Sequence, residues 1–182
     1  KRVNSMGKKI SIKILLLLMF SLLGLSLFFP FQTSLVFYSQ QNHELRAYLP
    51  IEVDDKFQII FTHSIHLTDV VEKYEVQADL TIKQYEMVFE EFGIGMPSNA
   101  KEGETLVSRN GKYHLENMNE IFSSINIRNG KVVSKHRLVW GDTEEHLTYF
   151  NDYFKPGERL TVKIDRLSLW QAMRGVKISD EG

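Results

Sequence analysis

The segment that decides the fold reads Phe57-Gln-Ile-Ile-Phe-Thr-His-Ser-Ile-His-Leu-Thr-Asp-Val-Val-Glu-Lys-Tyr-Glu-Val76. Its first five residues predict a buried strand, and residues 70–76 mix β-branched, aromatic and charged residues as a half-exposed strand does. The stretch from Phe61 to Val76 also holds two histidines, a serine and three carboxylates. We therefore expect two strands joined by a polar segment, and we expect any functional site to begin in that segment.

Strand patterns continue on both sides of this segment. Residues 45–51 and 159–164 alternate apolar with polar side chains, and residues 80–92 are rich in β-branched and aromatic residues. Residues 167–174 show helical apolar spacing instead, which predicts a short C-terminal helix or turn. Several short strands without long amphipathic helices predict an all-β fold, either an antiparallel β-sandwich or a flattened barrel.

A hairpin is predicted within residues 121–140. Asn129 and Gly130 stand between two runs of β-branched residues. This pair favours a two-residue type I′ turn, because both of its central positions require positive φ. We therefore expect the runs on either side to pair directly with each other.

The composition limits the chemistry that the chain can carry. Its 182 residues include no cysteine, which excludes disulfides, thiolate metal sites and cysteine nucleophiles. From residue 43 onward, 17 basic residues stand against 23 acidic ones. Phosphates repel an acidic domain, so we expect no nucleic-acid partner. We also expect no cofactor, because Gly93-Ile-Gly95 lacks the third glycine and the lysine that phosphate-binding loops use.

The N-terminal segment differs from the rest of the chain in both charge and hydropathy. Residues 1–9 are basic, and residues 10–31 carry a single charge, Lys13, in a stretch rich in Leu and Phe. About 20 apolar residues are needed to cross a bilayer, so residues 10–31 are predicted to be a transmembrane anchor. The positive-inside rule places residues 1–9 in the cytoplasm. Residues 32–44 then form a connector, and residues 45–182 form an extracytoplasmic β domain.

A cleaved signal peptide is the alternative, because a basic flank before a Leu-rich stretch fits both interpretations. The stretch is longer than the usual hydrophobic region of about 7 to 15 residues, and no small-residue cleavage site follows it. We therefore expect a single-pass protein of the cell membrane with its C-terminal domain outside. Cleavage of the segment would make the domain a secreted one.

The candidate recognition site combines the polar segment with a later loop. His63 and Glu72 are the nearest complementary polar pair, and buried polar groups need partners, so we expect these two side chains to converge. Ser64 lies beside them, but adjacent strand residues point to opposite faces, so His63 cannot readily activate it as a nucleophile. Glycines allow a loop to approach other backbone closely, and we expect such a loop to close over the polar segment. It contributes four further candidates: Phe92, Gly93, Gly95 and Pro97.

The same segment suggests a weaker metal hypothesis. His63, His66, Asp69 and Glu72 carry the imidazole and carboxylate groups that zinc and manganese bind. On a strand, however, residues i and i+3 face apart. These ligands therefore converge only if residues 65–69 form a loop, and we predict no metal site without that loop.

Three motifs resemble those of an uncharacterised bacterial family of small exported or membrane-anchored proteins. They are Phe61-Thr-His-Ser64, Val71-Glu-Lys-Tyr-Glu-Val76 and Phe89-Glu-Glu-Phe-Gly-Ile-Gly-Met-Pro97. Members of that family are often encoded beside TRAP transporters of the TAXI type. The resemblance therefore implies a context of substrate uptake, with a TRAP transporter or its solute receptor as the partner.

Two classes of function remain open on the sequence. The first is a membrane-anchored extracytoplasmic accessory or binding module, which supports TRAP-type solute uptake by recognising a partner or a small ligand. The second is an anchored hydrolase that uses His63 and Glu72 as acid and base. The sequence shows no separated set of nucleophile, base and orienting residue, which favours the binding module. An exposed apolar patch in the structure would favour it further, whereas an unusually shifted histidine pKa in a closed pocket would favour the hydrolase.

Overall fold

The computed structural model describes residues 2–93, 95–133 and 135–179, with side chains described from residue 12 onward. The side chains of the predicted basic flank, residues 1–9, lie outside the described part, as do residues 180–182 at the end of the predicted β domain. The described residues form the helices α1 (Arg2–Phe28), α2 (Phe150–Tyr153) and α3 (Leu169–Ala172). The strands are β1 (Pro30–Ser39), β2 (Leu45–Pro50), β3 (Lys56–Thr62), β4 (Asp69–Val76), β5 (Ile82–Phe89), β6 (Thr105–Arg109), β7 (Lys112–Phe122), β8 (Ile125–Arg128), β9 (Arg137–Trp140), β10 (His146–Tyr149), β11 (Arg159–Ser168) and β12 (Val176–Lys177).

These strands form two sheets. One sheet has five strands in the order β12-β2-β1-β11-β8, and the other has seven in the order β10-β9-β3-β4-β5-β7-β6. The described strand pairs are antiparallel, apart from the parallel pair of β12 with β2. The prediction of a β fold built mainly from antiparallel strands is confirmed, and neither sheet closes into a barrel.

A main core lies between the two sheets. It takes buried side chains from both of them, including Leu35, Phe37, Leu160 and Val162 from the five-stranded sheet and Phe57, Ile59 and Tyr74 from the seven-stranded sheet. Every second residue of these strands faces the core, as strand geometry requires. Burying each such Leu, Val or Phe side chain stabilises the fold by about 1.5–3 kcal/mol.

A smaller satellite cluster lies on the seven-stranded sheet. Its buried members are Val70, Met87, Phe89, Leu115 and Met118, and Phe61, Met96, Leu106 and Tyr113 pack against them. Met96 belongs to the loop that follows β5. Part of the cover of this cluster is therefore a loop rather than the second sheet.

The segment after α1 is a strand, although residues 32–44 were expected to form a connector. β1 begins at Pro30, inside the predicted anchor, and pairs with β11 on one side and β2 on the other. Leu35 and Phe37 are fully buried in the main core. The apolar residues assigned to a connector are therefore the centre of the five-stranded sheet, and what remains between β1 and β2 is a tight turn in which His43 N donates to Ser39 O.

Helix α1 presents apolar side chains to its surroundings. Side chains at consecutive positions, among them Leu15, Leu16, Leu17 and Leu18, are 45–71% exposed. Consecutive positions cover every side of a helix, so α1 has no polar face in this stretch. A search of the described residues finds no helix whose length and apolar character suffice for crossing a membrane.

The prediction of a hairpin around Asn129 and Gly130 is wrong. β8 before the pair belongs to the five-stranded sheet and β9 after it belongs to the seven-stranded sheet. Neither Asn129 nor Gly130 is among the residues with positive φ. The connection therefore crosses from one sheet to the other instead of turning back on itself.

Buried hydrogen bonds explain why the chain crosses at this point. The Asn129 side chain is 1% exposed, and its Nδ2 donates to Asn151 Oδ1 at 2.9 Å and to the carbonyl oxygens of Phe154 and Lys155, each at 3.2 Å. Its backbone N–H donates to Glu158 O at 2.8 Å. Asn129 thus joins the end of β8 to α2 and to the segment between α2 and β11. A turn propensity cannot predict these contacts, because it depends only on the residues of the turn.

The short helix expected within residues 167–174 is present as α3. Ser168 caps its N-terminus by accepting a hydrogen bond from Gln171 N, and Gln171 Oε1 accepts from Ser168 N at 2.9 Å. This capping box satisfies backbone donors that the first turn would otherwise leave free. α3 is thereby fixed to the end of β11.

We predict that Asn129→Ala lowers the free energy of unfolding by about 1–3 kcal/mol, because it leaves buried carbonyl groups without their donor. Urea denaturation measures the change. The exposed Asn119→Ala is the matched control, and we expect it to change stability by less than about 0.5 kcal/mol. Equal effects of the two substitutions would contradict the bridging role of Asn129.

Candidate functional site

The polar segment of the sequence forms the turn between β3 and β4. His63 N donates to Thr68 O at 2.8 Å, and Leu67 N donates to His63 O at 2.9 Å. The His63 ring turns back into this turn, where its Nδ1 accepts from the backbone N–H groups of Ile65 and His66 at 3.4 Å. His63 is therefore a buried organiser of the turn, since these bonds fix the backbone around it.

His66 links this turn to the loop that follows β5. Its ring stacks on His63 with centroids 5.0 Å apart, and its Nδ1 lies 2.7 Å from Glu91 Oε2. A Cβ atom on Gly93 would lie 2.5 Å from His66 Nε2 and 3.7 Å from His63 Cε1. Glycine at position 93 is therefore what allows the loop to reach the two imidazoles.

The loop of residues 92–97 packs against the satellite cluster on its other side. The Phe92 ring lies 4.3 Å from Tyr113 and 5.3 Å from Phe89, measured between centroids. Gly95 has φ of +89°, which favours glycine, and Met96 N donates to Gly93 O at 3.0 Å. Pro97 is half-buried. We call residues 63–68 together with residues 92–97 the tip; Ile94 lies outside its described part.

Three large apolar side chains of the tip are exposed. Ile65 is 61% exposed, Leu67 65% and Phe92 42%. Ser64 is exposed beside them. Leu67 also has a φ of +59°, the left-handed region that glycine and asparagine normally occupy. Sequence periodicity did not identify Ile65 and Leu67 as candidate site residues, because neither lies on a strand or helix face.

Glu72 does not join the tip. The register pairs it with Ile59, four residues before His63, so the two positions are about 13 Å apart along the sheet. Glu72 shares the inner face of β4 with Tyr74, and Tyr74 Oη donates to Glu72 Oε2 at 2.9 Å. The expected convergence of His63 with Glu72 is therefore not found in the strand pairing.

Burial determines the electrostatics of Glu72. It lies between Ile59 of the main core and Met87 of the satellite cluster. This burial raises the pKa of Glu72 above its usual value, and the hydrogen bond from Tyr74 opposes the rise without cancelling it. Burial, and then the Glu72 charge, also raise the pKa of Tyr74, which keeps its hydroxyl a donor.

Of the four residues considered as metal ligands, the two histidines stack on each other, whereas the two carboxylates bond to other groups. Asp69 accepts from Thr62 Oγ1 at 2.9 Å and pairs with Arg137 Nη2 at 2.7 Å. Burial would raise the Asp69 pKa, but these two contacts hold it below its usual value. Glu72 is bonded to Tyr74. Both carboxylates that the metal hypothesis for this segment requires are therefore bonded to other protein groups.

Another group does bring three such side chains together. In the described part of the chain, ligand atoms of Glu86, His114 and Glu116 lie within 4.8 Å of one another. Lys73 Nζ is 2.9 Å from Glu86, and Arg109 pairs with Glu116. The two cations balance the two carboxylates, so the group forms an ion-pair network across β4, β5, β6 and β7. A bound cation would have to displace or repel both of these positive side chains.

His136 carries a strongly shifted pKa, although no motif marks it in the sequence. Its ring stacks on Phe61 at 5.7 Å and packs against Phe150 at 5.4 Å. Burial, and then the charge of Arg137, lower the His136 pKa to about 4. The ring is therefore neutral at pH 7 and serves as a packing group between aromatic neighbours.

We predict that Glu72→Gln stabilises the domain at pH 7.5 and gives no advantage well below pH 4.5, the usual glutamate pKa. A raised folded-state pKa means that protonation favours folding, so the wild type loses stability as pH rises through that pKa. Glutamine keeps the acceptor for Tyr74 without the charge. Urea denaturation at both pH values measures the difference, with the exposed Glu102→Gln as control for net charge; a loss of stability at pH 7.5 would show that the ionised form is favoured.

Comparison with known proteins places part of the chain in a family of domains. The family model DUF1850, described as a domain of unknown function, matches residues 57–147, which is half of the chain. No curated protein and no solved structure matches. The matched range includes the whole described tip, whereas α1, β1, β2, β11 and α3 lie outside it. The expected resemblance to an uncharacterised family is confirmed in this form.

Proposed function

Since the chain belongs to the DUF1850 family, we propose that its β domain is a membrane-attached binding module that presents the tip to a partner protein. The observation that carries this proposal is the conformation of Leu67. A leucine in the left-handed region is strained by about 1 kcal/mol or more. Here the strained backbone conformation belongs to a residue whose large apolar side chain is exposed to solvent.

Folding alone does not account for this leucine. Its side chain is exposed and so gains little from burial, and glycine or asparagine would adopt the same backbone with less strain. Strained backbone concentrates at functional sites, where surrounding structure maintains it. The hydrogen bond from Leu67 N to His63 O and the stacked imidazoles supply that support. Exposed Ile65 and Phe92 extend the apolar surface, as partner-binding patches do.

The tip also lies far from α1. The start of β3 adjoins the start of β1, because residues 31–33 line one cavity of about 630 Å³ together with residues 50–53 and Asp55. β3 then runs from Lys56 to Thr62 and ends at the tip. Six residue steps of a strand cover about 20 Å. The tip is thus placed to meet a partner at a distance from the helix.

Attachment to a membrane is the second part of the proposal. The exposed apolar side chains of α1 and the basic residues that precede Ile14 in the sequence support it. We propose that residues 10–31 hold the chain in the cell membrane and that the acidic β domain lies outside. Cleavage at this segment would instead release the domain.

The proposed partner follows from the resemblance in the sequence. It is a TRAP transporter of the TAXI type or the solute receptor of that transporter, and the module would support solute uptake by contacting one of them. The hydrolase alternative requires His63 and Glu72 to act on one substrate. The register of β3 and β4 places them about 13 Å apart, which favours the binding module.

We predict that Leu67→Gly raises the free energy of unfolding by about 1 kcal/mol, because it relieves the strained φ. It should at the same time weaken partner binding by about tenfold or more, because it removes one of the three exposed large apolar side chains of the tip. Urea denaturation measures the first effect. Binding of the full-length chain in detergent to a purified TAXI-type solute receptor, and separately to its transporter, measures the second.

Glu144→Gly is the matched control for Leu67→Gly. Glu144 has a φ of +58° in the exposed turn between β9 and β10, away from the tip. We expect this variant to gain stability without any change in binding. Undiminished binding by Leu67→Gly would overturn the role of the tip, and a loss of stability would overturn the strain argument.

For the orientation, we predict that protease added to intact spheroplasts digests the β domain. The basic residues should remain in the cytoplasm and leave the domain outside. Immunoblotting against the domain follows its loss, and a cytoplasmic marker that survives until lysis is the control. Protection of the domain until lysis would reverse the proposed orientation, and recovery of the domain in the soluble fraction would indicate cleavage.

A further inference from the structure

A second exposed apolar surface lies on α3, outside the residues that match the family. Leu169 is 42% exposed, Trp170 46% and Met173 60%. Residues three and four apart share one face of a helical turn, so these three side chains form one patch, which we call the α3 patch. Ala172, on the opposite side, is buried against Val36, Tyr48 and Leu167.

The α3 patch is continuous with the end of α1. The rings of Phe28 and Trp170 lie 5.9 Å apart. Phe28, Phe29 and Phe31, where α1 passes into β1, are 58–67% exposed. The exposed apolar surface of α1 therefore continues across this junction onto the β domain.

The patch is also held firmly in place. α3 follows β11 directly, the Ser168–Gln171 capping box fixes its first turn, and buried Ala172 ties it to the five-stranded sheet. The patch is therefore a fixed feature of the domain surface. Its exposed side chains lie next to the C-terminal end of α1.

We propose that the α3 patch is a lipid-contacting surface that docks the β domain onto the membrane interface beside α1. This inference rests on the proposed membrane attachment. Tryptophan favours the boundary between headgroups and hydrocarbon, because its ring is apolar and its N–H is polar. Exposed Arg166 and Arg174 flank α3 in the sequence and are suited to phosphate groups at that depth.

Lipid is the occupant that the structure favours over a protein partner. The patch adjoins the helix that carries apolar side chains on all sides, so a bilayer around α1 would reach the patch without any rearrangement. With both α1 and α3 in contact with the membrane, the domain would have one fixed tilt. That tilt would direct the tip, about 20 Å along β3, away from the bilayer.

Tryptophan fluorescence in nanodiscs tests this docking. The chain has two tryptophans, so Trp140→Phe leaves Trp170 as the single reporter in the full-length protein. In nanodiscs made with lipids brominated near the headgroup, we expect Trp170 to lose about half or more of its emission, because a ring at the interface collides with the bromine atoms. Acrylamide in the aqueous phase should quench it poorly, despite its exposure.

The matched control places the reporter at the tip. Phe92→Trp in a background of Trp140→Phe and Trp170→Phe should show little quenching by brominated lipid. If Trp140→Phe impairs folding, the difference in quenching between the wild type and Trp170→Phe isolates the Trp170 signal without a core substitution.

The outcomes separate the two levels of the proposal. Quenching of Trp170 without quenching at the tip supports docking. Incorporation into nanodiscs with Trp170 unquenched by lipid and open to acrylamide overturns docking but leaves attachment through α1 in place. Failure of the chain to incorporate overturns docking and attachment together. Protection of Trp170 that depends on protein concentration in lipid-free detergent would assign the patch to a second copy of the chain and overturn the lipid proposal.

Discussion

The pairing of β1 with β11 and β2 is the constraint on which the rest of the structure depends. β1 begins two residues after α1 ends, and its Leu35 and Phe37 are fully buried between the sheets. The helix is therefore joined to the core without a flexible linker. A surface that meets the C-terminal end of α1 therefore also lies close to the start of β1, to α3 and to the residues just before β3.

This rigid junction gives the domain two different ends. Exposed Phe28, Phe29 and Trp170 lie at the end beside α1, and exposed Ile65, Leu67 and Phe92 lie where β3 terminates. Burial drives large apolar side chains into a core, so clusters of them in solvent indicate contact surfaces. The two proposals follow from this separation, because one assigns the end beside α1 to lipid and the other assigns the tip to a partner protein.

The sequence predicted the parts of the fold that depend on local alternation. β2 and β11 appear where apolar residues recur at every second position, β3 and β4 appear in the apolar and mixed runs on either side of the polar segment, and α3 appears where apolar residues recur at helical spacing. The predicted hairpin at Asn129 failed, because its turn propensity was outweighed by buried hydrogen bonds to residues 151–158, which are distant in sequence. The conformation of Leu67 could not be predicted either, since its φ is set by the turn around the buried His63 ring.

Strand alternation also separates the polar residues that the sequence suggested as a single site. Asp69 bonds to Thr62 and Arg137, whereas Glu72 points to the inner face and bonds to Tyr74. His63 instead organises the turn at the end of the two strands. Residues that are neighbours in the sequence thus occupy three environments, because successive side chains of a strand point to opposite faces. Most of these polar side chains thus support the turn and the sheet, and our proposal assigns recognition to the exposed apolar side chains of the tip.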